Sequence, residues 1–237
     1  MAVDEVLLDS ASDGGLSASD GGRCSLRFYR WSRPTLSLGY FQKHAERAAH
    51  HASRDCALVR RQTGGGAIVH DRELTYSFVL PSAHPLAADP TRLYILVHEA
   101  LIAVLNRSGV QAEICAAPAA ISPDDQPFLC FQRRAVGDIL IGDSKVCGSA
   151  QRRRRGAILQ HGSLLLAQSP AAPELKGIRE LSGKSLDAAA FSEAAAQELA
   201  ARLRLRLDCD PLATAESDAA RALVSAKYAA PSWNRRR

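Results

Sequence analysis

Between Thr91 and Ser108 apolar residues fall at Leu93, Leu96, Val97, Ala100, Leu101, Val104 and Leu105. That i, i+3, i+4 spacing predicts a helix with one buried face. Elsewhere the apolar positions come in short runs bounded by turn residues. Strands are predicted over Leu26 to Trp31, Pro34 to Tyr40, Ala57 to Arg61, Ala67 to His70 and Leu74 to Leu80. Three more are predicted over Gly137 to Ile141, Lys145 to Gln151 and Ala157 to Leu166, the first two joined by a hairpin turn at Gly142-Asp143. Gln42 to Asp55 lacks Gly and Pro and predicts a short helix, whereas Ala116 to Pro127 predicts an irregular loop. Asp187 to Leu207 and Pro211 to Tyr228 are Ala-rich and amphipathic, so the chain is expected to end in helices. The class that follows is α+β: a mixed, mainly antiparallel β-sheet with helices packed on one face, in a single domain spanning 1–237.

Composition narrows the setting. The chain has 237 residues, 46% hydrophobic and 23% charged, which suits a globular protein able to build a core without metal or disulfide staples. No apolar run approaches the roughly 20 residues that a membrane span needs. The N-terminus starts acidic, without a basic segment ahead of an apolar one, so a cytoplasmic protein with no membrane partner is expected. The six cysteines show no Cys-x-x-Cys spacing and are expected to be free thiols, and no His-Glu-x-x-His or Cys/His pattern marks a metal site. The net charge of +5 is local: seven basic residues lie between Arg133 and Arg155 against two acids, Asp138 and Asp143. Such a patch suits an acidic protein partner or a solvated turn. A nucleic acid is not expected, because the arginines lack interleaved aromatics that would stack on bases.

Two segments carry candidate chemistry. Arg61-Gln62-Thr63-Gly64-Gly65-Gly66-Ala67 places three glycines between two strands, where they weaken both. They are explained by a backbone that approaches something closely or visits positive φ, unless the turn is simply tight. No Gly-Lys-Ser/Thr follows, so this is not a phosphate loop. The second segment opens with Lys145 and continues through Gly148-Ser149-Ala150-Gln151 to Gln160-His161-Gly162-Ser163. Small residues after Lys145 leave its ammonium free to lie along an open groove as a point charge on an acyl or phosphate oxygen, or else it faces solvent on a hairpin. His161 is either a ligand or base, or a structural hydrogen-bonder.

Taken together, Arg-Arg-x-Thr-Gly-Gly-Gly-Ala-x-x-His-Asp, Lys-x-x-Gly-Ser-Ala-Gln and Gln-His-Gly-Ser-Leu-Leu resemble the biotin/lipoyl protein ligase superfamily. The likeness is to its branch of lipoate-protein ligases and ligase-like octanoyltransferases. Pro34 to Gln42, Glu73 to Ser77, Lys227-Tyr228 and Trp233-Asn234 extend it over nearly the whole chain. The resemblance implies the class II aminoacyl-tRNA synthetase-like fold of that superfamily, as one catalytic domain without a C-terminal accessory domain. It also implies a tunnel for a medium-chain acyl group, in which each buried CH2 contributes about 0.8 kcal/mol. Arg61, Gly64, Gly65, Gly66 and His70 would form one side of it, and Gly148, Ser149, Ala150, His161 and Gly162 the other, with Lys145 beside the acyl carbonyl.

Two chemistries share that scaffold. Ligases use ATP and Mg2+ to activate a free acid as an acyl-adenylate. The octanoyltransferases need no cofactor: they accept the group from octanoyl-acyl carrier protein onto a cysteine, then pass it to a lipoyl domain or the glycine cleavage H protein. Cys130 resembles the nucleophile of the transferases, and Cys147, closer to Lys145, is the second candidate. Outside this resemblance, a cysteine between Leu129 and Phe131 reads as a small buried hydrophobe. Gly66 resembles the ligases, and the ending at Arg237 resembles the transferases. The expected activity is therefore octanoyl transfer, with ATP-dependent ligation as the enzymatic alternative and a carrier-binding module as the non-enzymatic one. Acyl carriers and lipoyl domains are acidic, which would give the basic stretch from Arg133 to Arg155 a purpose as a positive rim.

Overall fold

A computed structural model describes residues 1–12, 23–118 and 127–236. The chain opens with helix α1 (Ala2–Ser10) and continues through β1 (Ser25–Tyr29), β2 (Thr35–Leu38), β3 (Ala57–Arg60), β4 (Ile68–His70) and β5 (Glu73–Leu80). Helix α2 (Pro90–Arg107) leads to β6 (Glu113–Ile114), β7 (Ile139–Ile141), β8 (Ser144–Arg154) and β9 (Ala157–Leu165). Helices α3 (Ile178–Ser182), α4 (Ala188–Leu203), α5 (Thr214–Leu223) and α6 (Pro231–Asn234) follow. The large sheet has the order β1-β5-β9-β8-β7-β6, and every pairing in it is antiparallel. A smaller sheet, β3-β2-β4, joins one parallel and one antiparallel pair. No helix among the described residues is long and apolar enough to cross a membrane.

The periodicity of α2 is realised as expected. Pro90 occupies its first turn, the Asp89 carboxylate accepts the Arg92 N–H at 3.0 Å, and Leu93, Val97, Leu101, Val104 and Leu105 are buried. That face and α4 pack on Phe78, Leu80, Ile158 and Leu164 of the large sheet. Successive strand residues point to opposite faces, so Val79 and Leu159 turn the other way, onto Leu7 and Leu8 of α1. Helices therefore cover both faces rather than the one expected. The sequence concealed α1 because two acids sit on its buried side. Asp4 accepts from Arg27 at 2.7 Å, and Glu5 accepts from Lys227 and from Tyr228.

Two other expectations change and one falls largely outside the described residues. Gln42 to Asp55 forms two 3₁₀ turns, His44–Ala49 and His51–Ser53, because no residue of the first is buried and nothing rewards a longer helix. Most of the Ala116 to Pro127 loop, residues 119–126, lies outside the described residues. The basic stretch from Arg133 to Arg155 does not form one rim. Arg134 pairs with Asp143 at one end of β8, whereas Arg152 to Arg155 form the hairpin tip at the other, where Arg154 reaches Asp9 at 2.7 Å. A strand of that length holds the two groups roughly 33 Å apart, at about 3.3 Å per residue.

Candidate active site

The register of the large sheet lines up Gly148, Ser163, Thr75 and Tyr29 across β8, β9, β5 and β1. With strands about 4.8 Å apart, that row spans roughly 14 Å. A cavity of about 290 Å3 lies along it, lined by these four residues. Its other wall comes from Arg61, Gly64, Gly65, Ile68 and His70, with Cys130 and Phe131. At the β1 end Trp31 stacks on His70 at 4.3 Å and donates its ring N–H to Thr75 Oγ1 at 3.0 Å. Ser149, Ala150, His161 and Gly162 also line it, beside Met1 and Gln151, so the structure gathers most of the expected tunnel residues around one space.

The glycine loop and Cys130 are built as one unit. Ala67 N–H donates to the Phe128 carbonyl at 2.9 Å, and Cys130 N–H donates to the Ala67 carbonyl at 2.8 Å. Gly66 is not part of the cavity lining. A Cβ there would stand 3.0 Å from both the Cys130 nitrogen and the Phe128 oxygen, so the loop approaches the cysteine turn more closely than a side chain permits. Gly65 has φ +91°, and the point its Cβ would occupy is 3.8 Å from Cys130 Sγ. Beneath them the buried Arg61 guanidinium donates to the carbonyls of Ser37, Gly64 and Gly66 at 3.0, 2.8 and 2.6 Å. Burial pushes the Arg61 pKa down to about 10, with the negative charge of a Cys130 thiolate acting in the opposite sense.

Lys145 does not lie in an open groove. Its side chain is 5% exposed, and its ammonium pairs with the Asp138 carboxylate at 2.8 Å. It passes against Gly148, where a Cβ would come within 2.6 Å of Nζ, and lies 5.5 Å from the Phe131 ring centroid. Lys145 thus fills the space that a Gly148 side chain would take, against the cavity wall but not part of its lining. Asp138 also accepts from Tyr94 Oη at 2.9 Å and from Ala135 N–H at 2.7 Å. Cys147, the second candidate, is fully buried in the core opposite Leu164, and burial raises its thiol pKa. It carries no part of the site.

Beneath the cavity floor runs a polar chain that the sequence did not disclose. His98 Nδ1 lies 2.6 Å from the Gly137 carbonyl, which only accepts, so Nδ1 carries the proton and Nε2 accepts from Ser149 Oγ, also at 2.6 Å. Tyr76 Oη then donates to Ser149 and accepts from Gln160 Nε2 at 2.8 Å. Burial holds the His98 pKa down at about 4, against the pull of its hydrogen bond to Gly137. Gly162 makes room for this chain, because a Cβ would collide with the Ser149 hydroxyl and the Tyr76 ring. The available signal was a histidine within the apolar face of α2. His161 bonds to Thr63 Oγ1 at 2.7 Å, with Asp4 3.8 Å from its other nitrogen, while burial lowers its pKa. It is a strut in the wall.

Comparison with known proteins agrees with this architecture. The chain is 33% identical to an octanoyltransferase LipM of Kyrpidia tusciae over an alignment 270 positions long, covering 100% of this chain and 94% of that protein. A crystal structure of lipoate-protein ligase A bound with ATP superposes with a TM-score of 0.74 at 26% identity, over 99% of this chain and 92% of the other. The bi-partite lipoate protein ligase of Thermoplasma acidophilum, described with its E2 lipoyl domain, shares the fold at a TM-score of 0.71 and 23% identity, over 98% and 91% of the two chains. Residues 1–175 match the lipoyl protein ligase A/B catalytic domain, and the chain belongs to that family.

Proposed function

We propose that the protein is an octanoyltransferase of protein lipoylation. In this reading it takes an octanoyl group from acyl carrier protein onto Cys130 and delivers it to a lysine of a lipoyl domain or of the glycine cleavage H protein. The acyltransferase class follows the full-length likeness to an octanoyltransferase LipM. The observation that carries the mechanism is the position of Cys130, on the wall of a cavity that runs from Gly148 to Tyr29. An extended eight-carbon chain is roughly 10 Å long, from C–C bonds of about 1.5 Å. It fits along the roughly 14 Å row with its carbonyl at Cys130 and its tail towards Trp31.

The Cys130 thiol gives its proton to solvent, the thiolate attacks the thioester carbonyl, the carbon–sulfur bond to the carrier breaks, and the carrier leaves as a thiolate that takes a proton back from solvent. The target lysine amine then attacks the new thioester, forming the amide; the bond to Cys130 breaks and the amine's proton passes to the departing thiolate or to solvent. Lys145, against Gly148, supplies positive charge as the carbonyl oxygen becomes an oxyanion, together with nearby backbone N–H groups. Thioester exchange is close to balanced in energy, so no ATP, Mg2+ or other cofactor is required. The proposed compartment is the cytoplasm.

Incubation with radiolabelled octanoyl carrier protein should label the enzyme through a bond cleaved by hydroxylamine, and Cys130→Ser should abolish both label and turnover. Free octanoate with ATP and Mg2+ should give no product. A Cys130→Ser protein with normal turnover would overturn the covalent route, and product formed only with ATP would establish the ligase reading.

A further inference from the structure

Phe41 stands at the mouth of the cavity, and its turn is fastened there at several points. Tyr40 N–H donates to the Thr63 carbonyl at 2.8 Å. The Gln42 amide accepts from Gly39 N–H at 3.0 Å and donates to the Phe128 carbonyl at 3.3 Å, just ahead of Cys130. The Phe41 ring lies 3.7 Å from the point a Gly64 Cβ would occupy, next to the glycine that faces Cys130 Sγ. Yet Phe41 is 66% exposed, more than any other large hydrophobic side chain among the described residues. One exposed apolar residue needs no explanation by itself.

Its surroundings supply one. Arg236 stacks over the Tyr40 ring at 3.7 Å and over Trp233 at 4.1 Å, and Lys43 and Arg235 are exposed beside it. Among the described residues no carboxylate pairs with Lys43, Arg235 or Arg236. His44, on the same turn, has its pKa lowered by burial and then by Arg235, Arg47 and Arg60, which places those charges around one spot. An aromatic anchor beside Lys43, Arg235 and Arg236 suits an acidic partner with an apolar spot at its centre.

The reach of the reactants decides which partner this is. A lysine side chain extends roughly 6 Å from its Cα, over five bonds of about 1.5 Å. The backbone of an acceptor must therefore touch the rim at the glycine loop, whereas a carrier protein delivers its thioester on a much longer arm and can dock farther away. We infer that the Phe41 turn, with Lys43, Arg235 and Arg236, is the docking site for the acidic acceptor domain. This rests on the transfer proposed above.

The test uses the full chain, with Phe41→Ser and the double variant Lys43→Glu/Arg235→Glu beside the wild type. Transfer from preformed octanoyl-enzyme to a purified acidic lipoyl domain is measured against domain concentration and salt, and acylation by octanoyl carrier protein is measured separately. Each variant should raise the KM for the lipoyl domain about tenfold. The double variant should also lose most of the salt dependence. Acylation should stay within about twofold of wild type and circular dichroism should be unchanged, since all three substitutions are on the surface. An unaltered KM for the lipoyl domain would overturn the docking site. A defect confined to acylation would overturn it equally, by showing that this face reads the donor. If the wild type forms no octanoyl-enzyme, the transfer reading fails and this inference falls with it.

Discussion

The Lys145 ammonium lies 2.8 Å from the Asp138 carboxylate, and both side chains are almost completely withdrawn from water against Gly148. Their separate hydrogen bonds show which one holds the other. Asp138 is fixed by Tyr94 and by the Ala135 N–H, so it sets the position of a lysine whose own aliphatic stem is flexible.

Asp138→Asn follows as the first prediction. It leaves a buried ammonium without a counter-charge, a change that costs about 3 kcal/mol or more. Urea denaturation should show a loss of that size, and octanoylation of Cys130 should slow as Lys145 swings from the wall. An unchanged unfolding midpoint would mean that Asp138 does not anchor Lys145.

The glycine loop yields a contrast between neighbours. A Cβ at Gly66 meets backbone atoms of Cys130 and Phe128 at 3.0 Å, so Gly66→Ala has to displace the cysteine turn. Overpacking of this kind costs about 1–3 kcal/mol, and the acyl-enzyme should form far more slowly. At Gly64 a Cβ meets only the Phe41 ring at 3.7 Å, so Gly64→Ala should change stability by no more than about 0.5 kcal/mol. Thermal melts of the two variants, with labelling by octanoyl carrier protein, check the difference; equal melts would contradict the packing argument.

Much of this was legible in the sequence, for identifiable reasons. The α2 face, the Gly142-Asp143 hairpin and the three glycines are local signals, each fixed by residues close in the chain. The tunnel residues came from the motif resemblance, and the register of β8, β9 and β5 then brought them together. What stayed hidden depends on partners far along the chain. Asp4 and Glu5 look solvent-exposed until Arg27, Lys227 and Tyr228 are placed beside them. Lys145 reads as an open-groove or solvent-facing hairpin lysine because its small neighbours say nothing about Asp138. The basic run reads as one patch because sequence order hides the length of β8.

Arg61 links the loop to the electrostatics of the site. Its guanidinium ties three carbonyls, from Ser37, Gly64 and Gly66, and no single ammonium reproduces that planar fork. Arg61→Lys should therefore keep a positive charge yet release part of the loop, lowering stability by about 1–3 kcal/mol. The acylation rate should fall about tenfold or more, as misplaced loop atoms lose the reactive geometry. Single-turnover labelling checks this, and a rate equal to wild type would show that charge alone is needed.

The buried chain through His98 predicts a pH dependence of stability. Its folded pKa of about 4 lies below the ordinary value of 6.5, so between those limits the unfolded chain binds a proton that the folded one refuses. Stability should therefore be undiminished above about pH 6.5 and fall as the pH drops towards 4, by up to ~3 kcal/mol, with no further loss from this group below that. His161, also lowered by burial, acts in the same sense, so the contribution of His98 has to be read as a difference. His98→Gln removes the titrating group while offering a side-chain oxygen to Ser149. Urea denaturation between pH 4 and 7 should give a shallower decline for the variant than for the wild type. Parallel curves would mean that His98 takes up its proton in the folded state as readily as in the unfolded one, with Nε2 donating to Ser149 rather than accepting from it.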